Sequence, residues 1–394
     1  MIYLDNSSTT RQYDEVTEKM ANVASETFGN PSSLHRLGLK AEEEVKTARK
    51  YIAKAIGCSD DEIYFTSCGT ESDSTAILGT VEKKAHQKNA GKKIISTAVE
   101  HPAILEPLKK LEKEGYEIVL VGVDKSGNLK LDELKNAVDE NTILISVMTV
   151  NNESGAIMPI REIAEFKNEF NKIHGTDIWL HTDCVQALGK VDLRKFTAKG
   201  GVDMLSCSAH KIHGPKGMGF LYIRKGIDCK PFLLGGGQEK GFRSGTENVA
   251  GIAGFGLACK IAYDNFEKRI SGMSECHQYL LDGLRKNVPD IVINSPEDGC
   301  CSVLNVSFMG TRGEVLLHTL EQDEIYVSTG SACSSNHSSK NGSHVLNAMG
   351  KTPKEIEGAI RFSFNEFNTV EEMDFVTEKV SQAVQKFRRL GAFR

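Results

Sequence analysis

Apolar positions along the chain change period repeatedly, and each change marks an element. Ala41, Val45, Ala48, Ile52 and Ala55 recur every three or four residues, the spacing of one helix face, and predict a helix over 38–56. Residues 63–66 form a short strand-like run, followed by the polar stretch 67–74 and a helical pattern over 75–86. Strands and helices then alternate. Strands are expected at 93–97, 117–123, 142–150, 177–180 and 220–224, with a further apolar run at 202–207. Helices are expected at 104–114, 131–138 and 160–173. Such alternation predicts a mainly parallel sheet covered by helices, with ligands bound beyond the carboxyl ends of its strands. The polar clusters at His101, Asn152, Asp183 and Lys211 all fall at such ends.

The flanks read differently. Residues 2–5 are short and apolar, 6–10 a polar turn, 15–25 helical, and 28–33 a loop rich in Gly, Asn and Pro. A long glycine-rich loop covers 234–248, and a helix rich in small residues follows over 249–266. The remainder has α+β character. Helices are expected at 270–287, 313–320, 344–349, 353–358 and 369–390, with strands near 291, at 303–308 and at 359–364. The expected organisation is an α/β protein with a large domain over 15–259. Residues 1–14 and 260–394 form a smaller α+β domain, and a mobile loop is expected around 334–343. No internal repeat is visible.

Composition narrows the class. The chain has 394 residues, 40% hydrophobic and 26% charged, enough to bury a large core. A net charge of −5 without long basic runs argues against direct nucleic-acid binding. No apolar stretch approaches the roughly 20 residues a membrane helix needs. The first residues show no secretory signal pattern. The ten cysteines are scattered and include no CxxC pair, so reduced thiols, a cytoplasmic location and no resident metal site are expected.

The candidate chemistry centres on Lys211, within Ser208-Ala209-His210-Lys211. It follows an apolar run and precedes a His-Gly-Pro turn, which places its amine at a strand end and partly out of water. A lysine so placed can lose its proton and condense with an aldehyde. Ser208 and His210 suit a phosphate, and together these features suggest pyridoxal phosphate (PLP). A surface turn lysine would look the same over ten residues. Gly69 and Thr70, between a strand and a helix, form a candidate anion site of free N–H groups; an ordinary helix cap is the plainer reading. Asp183 suits a pyridinium nitrogen, His101 a planar ring to stack on, and Gln186 and Asn152 a phenolic oxygen; a helix N-cap, a half-exposed strand-end histidine and amides satisfying loop backbone are the plainer readings. Arg361, in an otherwise apolar strand, requires a fixed anion; a substrate carboxylate or an internal acid would serve. Cys333 sits among small polar neighbours that leave its thiol accessible to a substrate; an ordinary surface thiol would look the same in isolation.

In order along the chain, these motifs resemble the cysteine desulfurases of the NifS/IscS type, within the fold-type I PLP enzymes. The resemblance runs from Tyr3 to Ser363 and includes residues 29–33, 66–73, 100–102, 150–155, 181–186, 208–211, 243–248, 330–333 and 360–363. It implies a seven-stranded, mainly parallel sheet and specific residue roles. Lys211 would hold PLP covalently and serve as base. Gly69, Thr70, Ser208 and His210 would hold its phosphate, joined by Thr246 from the neighbouring subunit of a homodimer. His101, Asp183, Gln186 and Asn152 would surround the ring, and Asn152 and Arg361 would bind the carboxylate of L-cysteine. Cys333 would take the sulfur as a persulfide and pass it to an acceptor protein, such as an iron–sulfur scaffold or a thiolation carrier; it is also the candidate for a transient iron–sulfur contact. A selenocysteine lyase or another aminotransferase-like PLP enzyme is the alternative. Cys68, Ser74 and Ala209 depart from the usual pattern; packing is the expected role of Cys68 and Cys184.

Overall fold

The structure, a computed structural model, describes residues 1–87, 91–329 and 342–391. Cys333, and the expected loop up to residue 341, lie outside the described residues. Twelve strands occur among the described ones: β1 (Ile2–Tyr3), β2 (Ile63–Thr66), β3 (Lys93–Thr97), β4 (Glu117–Val121), β5 (Thr142–Ser146), β6 (Trp179–Asp183), β7 (Met204–Ser208), β8 (Gly219–Ile223), β9 (Ile291–Ile293), β10 (Val303–Phe308), β11 (Ile325–Tyr326) and β12 (Ala359–Ser363). Seven form one sheet in the order β2-β8-β7-β6-β5-β3-β4. β8 runs antiparallel to both neighbours, and the pairs from β7 to β4 are parallel.

Successive residues of these strands feed opposite cores, as the pleat dictates. Ile95, Ile145, Leu205 and Phe220 pack with Ile52 and Phe255 on one face. Their neighbours Ile94, Leu144, Met204 and Leu221 pack with Ala76, Ile77 and Leu108 on the other. Both faces are covered, so the strands read as continuous apolar runs instead of alternating ones. A third core joins Leu4 to Met273, Leu280, Val306, Phe362 and Val380. It lies against the antiparallel sheet β12-β10-β9, while β1 pairs in parallel with β11.

The largest departure from the sequence-based expectation is the helix Gly69–Ala85, which begins six residues before the expected 75. Its first turns are rich in hydroxyl residues that normally favour turns. Here Ser72 Oγ bonds back to the Cys68 carbonyl (3.3 Å) and meets Thr66 Oγ1 (2.8 Å), so the polar side chains are satisfied inside the fold. The helices expected at 249–266 and 270–287 become Val249–Asp264 and Phe266–Asn287, separated by Asn265 alone. No helix among the described residues is long and apolar enough to cross a membrane.

Candidate active site

A cavity of about 210 Å³ opens at the carboxyl ends of β5, β6 and β7. Gly69, Thr70, His101, Asn152, Asp183, Gln186, Ser208, His210, Lys211 and Arg361 all line it. Thr246 does not; it is exposed on the glycine-rich loop of its own chain.

Lys211 closes the short turn Ala209–Lys211 directly after β7. Its Nζ donates to the carbonyls of Ser7 (2.6 Å) and Ser8 (2.7 Å), so the N-terminal segment forms one wall. Asp183 is the last residue of β6, and its Oδ1 accepts from the Val185 amide at 2.8 Å. Burial pushes its carboxyl up to about 6, against the Val185 amide and Lys211, which favour the charge.

His101 caps the helix Pro102–Lys113, its Nδ1 accepting from the Ala103 N–H at 3.1 Å. The remaining ring proton therefore sits on Nε2. Burial lowers this imidazole to about 4, with Lys211 and His344 acting in the same direction, so a neutral ring faces the cavity. Burial lowers His210 to about 4 as well, and its Nδ1 lies 3.1 Å from Thr9 Oγ1. Gln186 is held at both ends of its amide: Nε2 donates to the Ser7 carbonyl (2.8 Å) and Oε1 accepts from Lys190 (3.0 Å).

Of the two partners the sequence context of Arg361 left open, the structure shows the internal acid. Arg361 donates to Asp5 Oδ1 (2.8 Å), Ser8 Oγ (2.7 Å) and the main-chain oxygen of Asn152 (2.9 Å), while its Nε is buried without a partner among the described residues. An internal acid is thus present, and one donor remains for a ligand.

The anion cradle is the start of helix Gly69–Ala85. Its N-cap residue, Cys68, makes no side-chain cap bond, so early N–H groups remain available. A Cβ on Gly69 would lie 2.6 Å from Val185 Cγ2, so glycine lets the helix start close to the segment that follows β6 without displacing that side chain.

The cavity also contains residues the sequence did not single out: Ser7, Asp73, Met148, Val150 and Val185. Val185 follows Asp183 by two positions and was findable from it. Ser7 arrives through contacts with residues some 200 positions away and carries no local signal. Ser7, Asp73 and Arg361 each have a buried polar atom without a hydrogen-bond partner among the described residues, and all three face one cavity. Such orphans mark the place of a polar ligand. PLP fits the donor set: an amine for its aldehyde, a carboxyl for its ring nitrogen and a helix start for its phosphate.

Fold and site together define a PLP-dependent enzyme built on an α/β sheet. The chain belongs to the class-V aminotransferase family (Aminotransferase class-V), which matches residues 2–376. Among its relatives, a protein named cysteine desulfurase IscS from Dictyoglomus turgidum is 41% identical over 394 residues, covering 100% of this chain and 97% of the relative. A protein of the same name from Methanosarcina thermophila is 43% identical over 393 residues, covering 99% and 93%. Among solved structures, a NifS-like protein superposes with a TM-score of 0.88 at 39% identity, covering 98% of this chain and 99% of the other. SspA in complex with cysteine superposes at 0.80 with 30% identity, covering 94% and 100%.

Proposed function

We propose that this protein is a PLP-dependent cysteine desulfurase that moves the sulfur of L-cysteine onto Cys333 as a persulfide and releases L-alanine. The observation that carries this reading is the convergence of Lys211, Asp183 and Arg361 on one cavity. Full-length similarity to proteins named cysteine desulfurase supports the choice of substrate.

PLP, when bound, supplies an electron sink conjugated to the substrate Cα. Lys211 would hold it, and the Lys211 amine would take up and return the Cα proton. Asp183 pairs with the ring nitrogen, and Gly69, Thr70, Ser208 and His210 hold the phosphate. His101 offers a neutral ring, Gln186 and Asn152 serve the ring oxygen, and Arg361 orients the substrate carboxylate with the help of Asn152. Cys333 thiolate would attack the substrate sulfur: an S–S bond forms, the substrate C–S bond breaks, and its electron pair returns to the carbon skeleton, whose Cβ takes the substrate thiol proton before leaving as alanine.

Thr246 serves the phosphate of a second copy in a homodimer. The persulfide passes to an acceptor protein, an iron–sulfur scaffold or thiolation carrier. A cytoplasmic location suits this traffic, since the nine cysteines among the described residues are all free thiols.

The test is alanine and sulfide release from L-cysteine under reductant, with Lys211→Ala and Cys333→Ser beside the parent. Loss of both products in each variant, with cofactor absorbance kept in Cys333→Ser, is the expected result. Equal release by Cys333→Ser would remove the persulfide step and leave a different PLP lyase on the same scaffold.

A further inference from the structure

Asp73 lies in the second turn of the helix Gly69–Ala85, is 1% exposed, and lines the same cavity as Asp183. Neither of its carboxyl oxygens has a hydrogen-bond partner among the described residues. The nearest basic nitrogen is His181 Nε2, 3.7 Å from Oδ1. That ring is occupied: Nε2 meets Ser206 Oγ at 2.8 Å and Nδ1 meets Ser146 Oγ at 2.9 Å. Burial lowers His181 to about 3, so it brings no positive charge. Ser206 is near enough to favour an ionised Asp73 somewhat, but makes no well-formed bond to it.

The other titratable groups acting on Asp73 are Asp183, Glu100 and the Cys68 thiol. Glu100 is fully buried, accepts from Thr97 Oγ1 (2.7 Å) and the Met148 amide (3.0 and 3.1 Å), and is pushed up to about 8, chiefly by burial. The surroundings of Asp73 are thus acidic or neutral, and they are not spaced to hold a metal ion. Two neighbouring carboxylates out of water do not both stay ionised when a proton is available. The choice between them is decided by compensation. Asp183 has the Val185 amide and Lys211 to favour its charge, whereas the main influence that favours an ionised Asp73 is Ser206. Burial first, and Asp183 second, hold Asp73 well above the ordinary carboxylate range.

We propose that Asp73 is a positioning residue that acts through Asp183: it stands as a neutral carboxylic acid beside it, so that a single negative charge faces the ring nitrogen and the Asp73 O–H supplies a donor at that end of the cavity. This rests on the PLP reading for its consequence in catalysis, but the protonation state itself belongs to the protein alone. It also accounts for two buried carboxyl oxygens that no donor among the described residues reaches, because a neutral acid does not need the compensation an ionised one requires.

The experiment separates the two. Infrared spectra of the full chain freed of cofactor, with aspartate carboxyls 13C-labelled, are recorded at pH 8 for the parent and Asp73→Asn. A band of protonated aspartic acid in the parent, absent from the variant, is the expected result; aspartate-selective labelling excludes Glu100. No such band in the parent, or its persistence in Asp73→Asn, overturns the proposal whatever the enzyme turns over. On the loaded enzyme, Asp73→Ala is expected to lose at least tenfold in kcat with little change in KM. Asp73→Asn, which keeps a neutral donor, is expected to recover most of that loss and to flatten the alkaline limb of the kcat profile. Equal loss in both variants overturns the role in catalysis.

Discussion

Arg361 donates to Asp5 Oδ1 at 2.8 Å across 356 residues of sequence, so the arginine in β12 is charge-compensated by the N-terminal segment. The pair is well shielded on the arginine side, at 3% exposure, and half-shielded on the acid side at 23%. Three bonds aim the guanidinium and leave Nε free. Lysine carries the charge but not the fork. Arg361→Lys is therefore expected to raise KM for L-cysteine about 10- to 100-fold, the range of one lost charge-assisted bond at ~1.5–3 kcal/mol. Cofactor absorbance should be unchanged. Steady-state alanine formation reads the first, and an unaltered KM would take the substrate carboxylate away from Arg361.

Glu100 gives a stability prediction with a definite sign. Its carboxyl is raised to about 8 in the folded chain, so its contribution is complete below the ordinary carboxylate range and is lost as pH rises towards 8. Glu100→Gln keeps a neutral acceptor for Thr97 and Met148 and removes this dependence. Relative to the parent, the variant is expected to gain roughly 2–5 kcal/mol between pH 5 and pH 9. Urea unfolding of the cofactor-free protein at the two pH values measures it. A gap that stays constant would mean that Glu100 is ionised throughout.

At the cradle, steric space decides. Gly69→Ala drives a methyl group to 2.6 Å from Val185 Cγ2, and either the helix start or the Val185 side chain just beyond β6 must give way. PLP affinity should fall at least tenfold, about 1.4 kcal/mol. Trimming the obstacle in Gly69→Ala/Val185→Ala should recover much of the loss. A double variant no better than the single one would point to the backbone N–H geometry instead of the side chain.

Glu366 ties four elements together. It accepts from Arg269 Nε (2.8 Å) and Nη2 (3.2 Å), lies 3.3 Å from His213 Nε2, and accepts a further hydrogen bond from the Tyr13 hydroxyl. Burial opposes its charge, but His213 and Arg269 outweigh burial and hold the carboxyl far below its ordinary range. This contribution is therefore present above the unfolded carboxylate pKa and lost as pH falls below it. Glu366→Gln strands a buried arginine and is expected to cost about 3–5 kcal/mol at pH 7. The difference should shrink on acidification, as denaturant titrations at pH 7 and pH 4 would show.

The sheet and the strand-end residues were legible because both depend on local patterns. Val202 to Cys207 forms an apolar run, and a polar residue at its end has nowhere to go but the carboxyl edge; Lys211 and Asp183 follow from that rule. Asp73 was hidden by its neighbours. In a stretch of Ser, Thr and Gly it reads as loop, and only the hydrogen bonds from Ser72 to Thr66 and Cys68 reveal a helix there. Asp5, Ser7 and Ser8 were hidden by distance, since a segment that acts only through partners 200 or 350 positions away shows no periodicity of its own.

That last arrangement has a consequence for how the protein comes into being. The wall formed by Ser7 and Ser8 is held to the rest by Asn6 and Ser7, which bond to Ser363, and by Arg361. A ribosome must therefore add more than 350 residues before the first ten can settle. Until then the nascent chain can build its central sheet but has no finished pocket, so fragments released early should fail to retain PLP. Contacts of such long sequence separation also make closure of the pocket a late event in refolding, well after the sheet has formed.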